Sequence, residues 1–253
     1  MRGPELLRGT AVIYRRELSG LFLQPVAWVL LALGLFLNGY AFPALLIATK
    51  GDADAAFLYA FRSGFGWISI VLPPLLTMRM ISEEARSGML EYLLTAPVKD
   101  GALVLGKVLA ATTFMAVLWG GAFVLAAALA ACGAAIDWPR LVLAWGGTVL
   151  ASLVFCSAGL VASALAATPV VAAFLGMMLC AGIVLLPTFV DRLAFASRAT
   201  RRALIERIDL AGQLEQTFLR GMFDSSTLVL LVSTSAVLLV LCTRRLEMQR
   251  WRS

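Results

Sequence analysis

Long apolar runs separated by short polar intervals set the pattern of this chain. Between Val26 and Thr49 there is no Asp, Glu, Lys or Arg. Such a run is long enough for a helix to cross the ~30 Å hydrocarbon core of a bilayer. Further apolar runs are Phe57–Met78, Leu103–Ala131, Leu141–Val190 and Ser226–Thr243. The pattern predicts an all-α integral membrane protein that crosses the bilayer several times.

The run from Leu141 to Val190 is too long for one helix across an ordinary bilayer, and Ala167-Thr168-Pro169 offers a break within it. We therefore expect two spans there, joined by a short turn, and about six spans in all. In the first of these two spans, Gly159 and Ser163 have the four-residue spacing that suits close helix packing.

Tandem prolines, Pro73 and Pro74, stand near the end of the second run. Proline lacks the backbone N–H of a helical hydrogen bond, so we expect a kink or break of the second span at this point.

Three polar intervals flank the spans. Residues 1–23 mix apolar and basic positions and predict an amphipathic helix along the membrane surface. Residues 191–225 predict a second amphipathic helix on the opposite face, before the last span, with lipid headgroups as its simplest neighbour. Residues 79–101 lie between the second and third spans.

The interval 79–101 predicts a short helix. Ser82 could cap its first turn, where Glu83 and Glu84 would favour the helix dipole. The helix should stop before Pro97, because the residue preceding a proline avoids the α region. Leucines at helical spacing give it one apolar side: Leu90, Leu93 and Leu94. A helix of this kind at a membrane face is a plausible docking surface for another protein.

Three stretches resemble the ABC type-2 permeases, in the branch of the gliding-motility and nitrous-oxide-reductase-maturation transporters. The pattern E-E-x-x-x-G-x-x-E-x-L-L-x-x-P covers Glu83 to Pro97 and is followed by Gly106-Lys107. Gln24-Pro25-Val26-Ala27-Trp28 opens the first span, and Phe218 to Asp224 precedes the last. The resemblance implies one permease domain over residues 1–253, with 79–101 as a cytoplasmic loop that couples to a separate ATPase.

The resemblance also implies which residues form that coupling loop: Arg79, Glu83, Glu84, Arg86, Gly88, Glu91, Leu93, Leu94 and Pro97. We expect Glu83, Glu84 and Glu91 to meet basic residues of the ATPase. The resemblance further implies a second permease chain, identical or related, and ATP with magnesium bound by the ATPase and not by this chain. An extracytoplasmic accessory protein is a further candidate partner.

The composition agrees with a membrane protein. Of 253 residues, 61% are apolar and 14% are charged, whereas a soluble domain carries about a quarter charged residues. Basic residues stand beside apolar spans and form no face of their own, so nucleic-acid binding is not expected. More Lys and Arg fall on the side of the termini, which favours both termini in the cytoplasm of a bacterial or archaeal cell and the spans in its inner membrane.

Candidate chemistry is sparse, and we expect no catalytic residue and no metal site. The chain has no histidine, and its four cysteines show no paired spacing. Gly101 to Lys107 fits G-x-x-x-x-G-K, but Val108 stands where a phosphate-binding loop needs Ser or Thr, and the residues between are apolar. We therefore expect this segment to begin the third span and to bind no nucleotide.

The hydrocarbon cores are expected to hold no ionisable side chain, with Lys107 counted among the inner polar segments. Proton-coupled transporters keep such groups in the membrane, so the spans should be driven from outside themselves. An exporter powered by a separate ATPase is the leading hypothesis. The alternatives are an ion-coupled secondary transporter, a membrane anchor for a soluble complex and, least favoured, a membrane-embedded enzyme.

Overall fold

The structure is a computed structural model that describes residues 3–88, 100–192, 205 and 208–250. Its helices, in chain order, are α1 (Gly3–Leu23), α2 (Pro25–Ala48), α3 (Ala53–Thr77), α4 (Ser82–Arg86), α5 (Asp100–Ala131), α6 (Trp138–Leu165), α7 (Pro169–Arg192), α8 (Leu210–Gln216) and α9 (Ser225–Arg250). A 3₁₀ turn, Phe218–Arg220, lies between α8 and α9.

Six helices in the described part of the chain are long and apolar enough to cross a membrane: α2, α3, α5, α6, α7 and α9. This confirms the predicted all-α architecture with six spans. The chain breaks between α6 and α7 at the expected place, where the Thr168 hydroxyl accepts a hydrogen bond from the Val171 amide. With six crossings, α1, α4 and the end of α9 lie at one end of the bundle, called here the inner end.

Helix α6 is the centre of the bundle. It packs against α3, α5, α7 and α9, and 72% of its most apolar 18-residue window is buried. Small residues allow this crowding: a Cβ added at Gly147 would collide with Phe218, and one at Gly159 would collide with Thr77. The predicted close packing at Gly159 and Ser163 is confirmed.

Helices α2, α7 and α9 lie at the rim of the bundle and leave large apolar side chains uncovered. Tyr40 is 77% exposed, Phe174 63% and Val229 62%. Such a belt would be unfavourable in water and suits contact with lipid chains. By contrast, three of the four cysteines are buried, namely Cys156, Cys180 and Cys242, in agreement with a packing role.

The tandem prolines do not break α3, which corrects the expectation of a break there, while the alternative expectation of a kink stays a prediction. The helix continues through Pro73 and Pro74 to Thr77, whose hydroxyl donates to the Pro73 carbonyl. Neighbouring helices support this turn: a Cβ on Gly159 would lie 3.3 Å from Pro74 Cα, and one on Gly176 would lie 2.9 Å from Pro74 Cβ. Close packing therefore holds in helical form a segment that has lost two backbone donors.

Aspartates begin the helices at the opposite, outer end. Asp52, Asp137 and Asp209 each accept a hydrogen bond from a first-turn amide of α3, α6 and α8. Asp224 does the same for α9, where hydrogen bonds from Ser226 and Thr227 lower its pKa to about 2.

The described part of the 191–225 interval packs against the bundle, whereas lipid headgroups were its simplest expected neighbour. Leu214 is fully buried, and Phe218 and Leu219 are nearly so. Arg140 donates to the Leu219 carbonyl, and Arg62 pairs with Glu215 at 3.0 Å. These apolar side chains are covered by protein because Gly147 leaves room for them on α6.

Candidate coupling site

A turn at the inner end, residues 78–82, connects α3 to α4; its residues 80–82 are buried, whereas Arg79 is exposed. Ile81 and Ser82 are each 1% exposed. Ser163 of α6 accepts hydrogen bonds from both of their amides, at 3.2 and 3.1 Å, and donates to the Met78 carbonyl at 3.0 Å. A side chain of the central membrane helix thus caps α4.

This arrangement corrects the expectation that Ser82 caps its own helix. Ile81 is the N-cap residue, and the Ser82 hydroxyl turns back to the Met78 carbonyl. Because the turn is buried in the bundle, its free amides are satisfied by tertiary contact with Ser163 rather than by a neighbour in sequence.

Lys107 of α5 contacts this turn and is fully buried. Its Nζ donates to Glu17 Oε1 of α1 at 2.9 Å and to the Met80 carbonyl at 2.7 Å. Glu84 Oε2 of α4 lies 2.8 Å away as an ion pair, without hydrogen-bond alignment. One ammonium group therefore contacts α1, the α3–α4 turn and α4.

Lys107 belongs to the third membrane helix, and the expectation that the hydrocarbon cores hold no ionisable side chain stays a prediction. With 32 residues, α5 is about 48 Å long and exceeds the ~30 Å hydrocarbon core. Lys107 is two turns from its inner end, so it lies near the membrane boundary. As expected, the segment Gly101–Lys107 is helical.

Arg16 closes the cluster from the solvent side. Its guanidinium contacts Glu17 Oε1 and Glu84 Oε1, at 2.5 and 2.6 Å. Burial alone would raise the pKa of Glu17, but Lys107 and Arg16 outweigh it and hold the pKa below the usual 4.5. Arg16, Glu17, Glu84 and Lys107, called here the inner ion cluster, carry no net charge.

Glu83 and Glu84, both expected to meet a partner, point in different directions. Glu84 is 16% exposed and is paired within the chain. Glu83 is 57% exposed and, among the described residues, has one long contact, 3.8 Å to Arg79. The outward surface of α4 comprises Glu83, Ala85, Arg86 and Ser87, and we call it the α4 face.

Gly88 has a φ of +74°, in the left-handed region, directly after the C-cap residue Ser87. This is the common way for a helix to end at glycine, and it accounts for the glycine of the family pattern. The remaining predicted loop residues, Glu91, Leu93, Leu94 and Pro97, lie outside the described residues, as does Leu90.

A cleft of about 240 Å³ opens beside the inner ion cluster, between the α1–α2 junction and the end of α3. Glu17, Glu84 and Arg79 line its polar side, and Leu21 and Leu30 line its apolar side. A second cleft, of about 260 Å³, lies among α2, α3 and α5 with almost entirely apolar walls; Asn38 is its one polar lining side chain. The first cleft borders the described part of the interval 79–101.

Sequence reasoning missed Arg16, Glu17 and Lys107 as members of the site. The available signal was Lys107 itself, a charge inside an otherwise apolar helical run, together with the adjacent Gly106. A Cβ on Gly106 would lie 2.7 Å from Ile13 Cγ2 and 3.1 Å from the Thr10 carbonyl, so this glycine lets α1 approach α5 closely.

These features define a class: a multi-pass helical membrane protein with a short, charged helix anchored at one end of its bundle. The family model of the ABC-2 family transporter proteins matches residues 29–250. The chain therefore belongs to the ABC-2 family of transporters, as its membrane-spanning component. No curated protein matches it in sequence.

Proposed function

We propose that this chain is the permease subunit of an ABC exporter, driven by a separate ATPase that docks on the cytoplasmic loop 79–101. The observation that carries the proposal is the arrangement of α4. Its base is held in the bundle by Ser163 and Lys107, whereas Glu83 and Arg86 face away from the protein. A push on such a helix would be delivered to the membrane spans.

The proposal has consequences for assembly. The ATPase would supply the sites for ATP and magnesium, and the permease would act as a dimer with a second, identical or related chain. The inner end would face the cytoplasm, with both termini there, and the spans would lie in the cytoplasmic membrane of a bacterium or archaeon. The gliding-motility and nitrous-oxide-reductase-maturation branch rests on the three sequence motifs.

Arg79, Glu83, Arg86 and Gly88 would form the described part of the docking surface. Glu91, Leu93, Leu94 and Pro97 complete it in this proposal. Glu83 is the best candidate to meet a basic residue of the ATPase, because its carboxylate is more than half exposed and weakly paired. Burial of such a pair at an interface strengthens it relative to water.

The test is purification of the tagged protein from its native cell in mild detergent, with mass spectrometry of the co-eluting proteins. We expect a stoichiometric ATPase that is lost in Glu83→Lys. Glu247→Lys is the matched control, since Glu247 is a partly exposed glutamate at the same end that pairs with Arg244.

Two outcomes would contradict the proposal. A dimer without an ATPase would favour an ion-coupled secondary transporter. A stoichiometric soluble protein that binds no nucleotide would favour a membrane anchor.

A further inference from the structure

Helices α1 and α4 are joined by side chains. The two helices do not pack closely against each other, yet both contact Lys107 of α5. The link therefore depends on the inner ion cluster and on the single buried lysine within it.

We propose that Lys107 is a positioning residue that fastens α4 to α1 and α5, so that a displacement of α4 moves the three helices together. The proposal deepens the coupling function above and rests on it for its role in transport. Three oxygens from three segments lie within 2.9 Å of the ammonium nitrogen: Glu17 Oε1 and the Met80 carbonyl accept hydrogen bonds, and Glu84 Oε2 forms an ion pair.

Burial makes this link stiff. Lys107 is completely inaccessible, so a movement that separated Glu84 from it would leave a charge without water and with fewer partners. Removing one partner of a buried ion pair is strongly unfavourable for this reason. Movement of α4 together with α1 and α5 keeps every contact of Lys107 and avoids this penalty.

The position of α1 makes the link possible. Gly106, the residue before Lys107, lets the α1 backbone approach α5 at Thr10 and Ile13. One turn further along α1, Glu17 reaches the ammonium group. The Gly106-Lys107 pair thus connects α5 to α1: Gly106 lets the two helices come close, and Lys107 binds Glu17 of α1.

Arg16 adds a second connection on the outside, since it contacts both Glu17 and Glu84. It is 45% exposed, so water can replace its contacts. The buried lysine is therefore the part of the inner ion cluster that cannot be lost without consequence.

The experiment measures the distance between spin labels at Ser19→Cys on α1 and Ser87→Cys at the end of α4, two exposed positions. The background carries Cys132→Ser, because Cys132 is the exposed cysteine. We expect one narrow distance distribution in the permease alone and a markedly broader one in Lys107→Met, which keeps the length of the side chain without its charge.

Glu247→Gln is the control, since it neutralises a charge at the same end outside the inner ion cluster, and it should leave the distribution narrow. If Lys107→Met does not accumulate, Glu84→Gln, which keeps the Lys107–Glu17 pair, gives the same comparison. An unchanged narrow distribution in either cluster variant would overturn the proposal.

A second measurement uses the complex with the co-purified ATPase. Lys107→Met should retain ATPase binding but lower permease-dependent stimulation of ATP hydrolysis about fivefold or more, as expected for loss of a coupling energy between sites. If the distance distribution broadens in Lys107→Met but no ATPase co-purifies, Lys107 holds α4 to α1 and α5 as proposed, and the coupling function is refuted. If the ATPase binds Lys107→Met and its ATP hydrolysis is stimulated as in the wild type, the role of Lys107 in coupling is refuted, and the proposed permease function is not.

Discussion

Two adjacent glutamates, Glu83 and Glu84, have opposite environments, and this contrast organises the inner end of the molecule. Glu84 turns inward to Lys107 and Arg16, whereas Glu83 is exposed to solvent. On a helix of five residues, neighbouring positions differ by about 100° around the axis, so one carboxylate can stabilise the fold while the next meets a partner.

Ser163 should contribute more to the stability of the fold than other buried serines do. Ser163→Ala leaves the buried amides of Ile81 and Ser82 without an acceptor, and we expect a loss of about 1–3 kcal/mol of stability. Thermal unfolding in detergent measures this loss of stability. In Ser163→Ala, hydrogen exchange should also become faster at the amides of Ile81 and Ser82.

Ser157 provides the matched control on the same helix. Its hydroxyl is buried and donates to the Leu153 carbonyl of its own helix, whose backbone bond remains without it. Ser157→Ala should change stability by less than about 0.5 kcal/mol. Equal losses in the two variants would mean that Ser163 does not act as the cap of α4.

Glu17 should give the inner ion cluster a pH dependence. Its pKa is lower in the folded protein than the usual 4.5, so it stabilises the fold above that pH, and this contribution is lost as the pH falls through the folded-state pKa. The melting temperature should decline on acidification below about 4.5, more steeply in the wild type than in Glu17→Gln.

The Glu17→Gln protein should be less stable than the wild type at neutral pH, because Lys107 loses one of its two anionic partners. Parallel melting curves of the two proteins from neutral to acidic pH would show that Glu17 is not the titrating group.

At the scale of elements, α6 organises the bundle through its small residues. Gly159 lies against the proline turn of α3, and Gly147 accommodates Phe218 and Leu214 of the outer segment. One helix therefore supports the inner turn that bears α4 and the outer segment before α9. The distance between neighbouring helices is set by residues without a side chain.

Gly159→Ala should destabilise the protein, because the new Cβ would collide with Thr77 and lie 3.3 Å from the Pro74 backbone. Overpacking of this kind costs about 1–3 kcal/mol. Gly146→Ala on the same helix meets no atom within 4 Å and should be neutral or stabilising by up to about 1 kcal/mol, since alanine favours a helix over glycine. Equal melting temperatures of the two variants would contradict the tight contact.

For the whole molecule, the spans could be predicted from sequence and the inner ion cluster could not. A run such as Val26–Thr49 is recognised as a span because it is long and apolar. Pro169 marks the α6–α7 break because proline cannot continue the preceding helix. The Lys107 contacts depend on α1 crossing α5 at Gly106, a tertiary arrangement that local pattern does not contain. The cap by Ser163 was missed for the same reason, since its partners are about 80 residues away.

The central claim is that the α4 face contacts an ATPase in the cell. A photoactivatable cross-linking residue in place of Ala85, which is exposed on that face, tests it directly, with Met248 at the same end as the control position. We predict that light links position 85, and not position 248, to a nucleotide-binding ATPase identified by mass spectrometry. Cross-links from position 85 only to lipid, or to a protein that binds no nucleotide, would contradict the account.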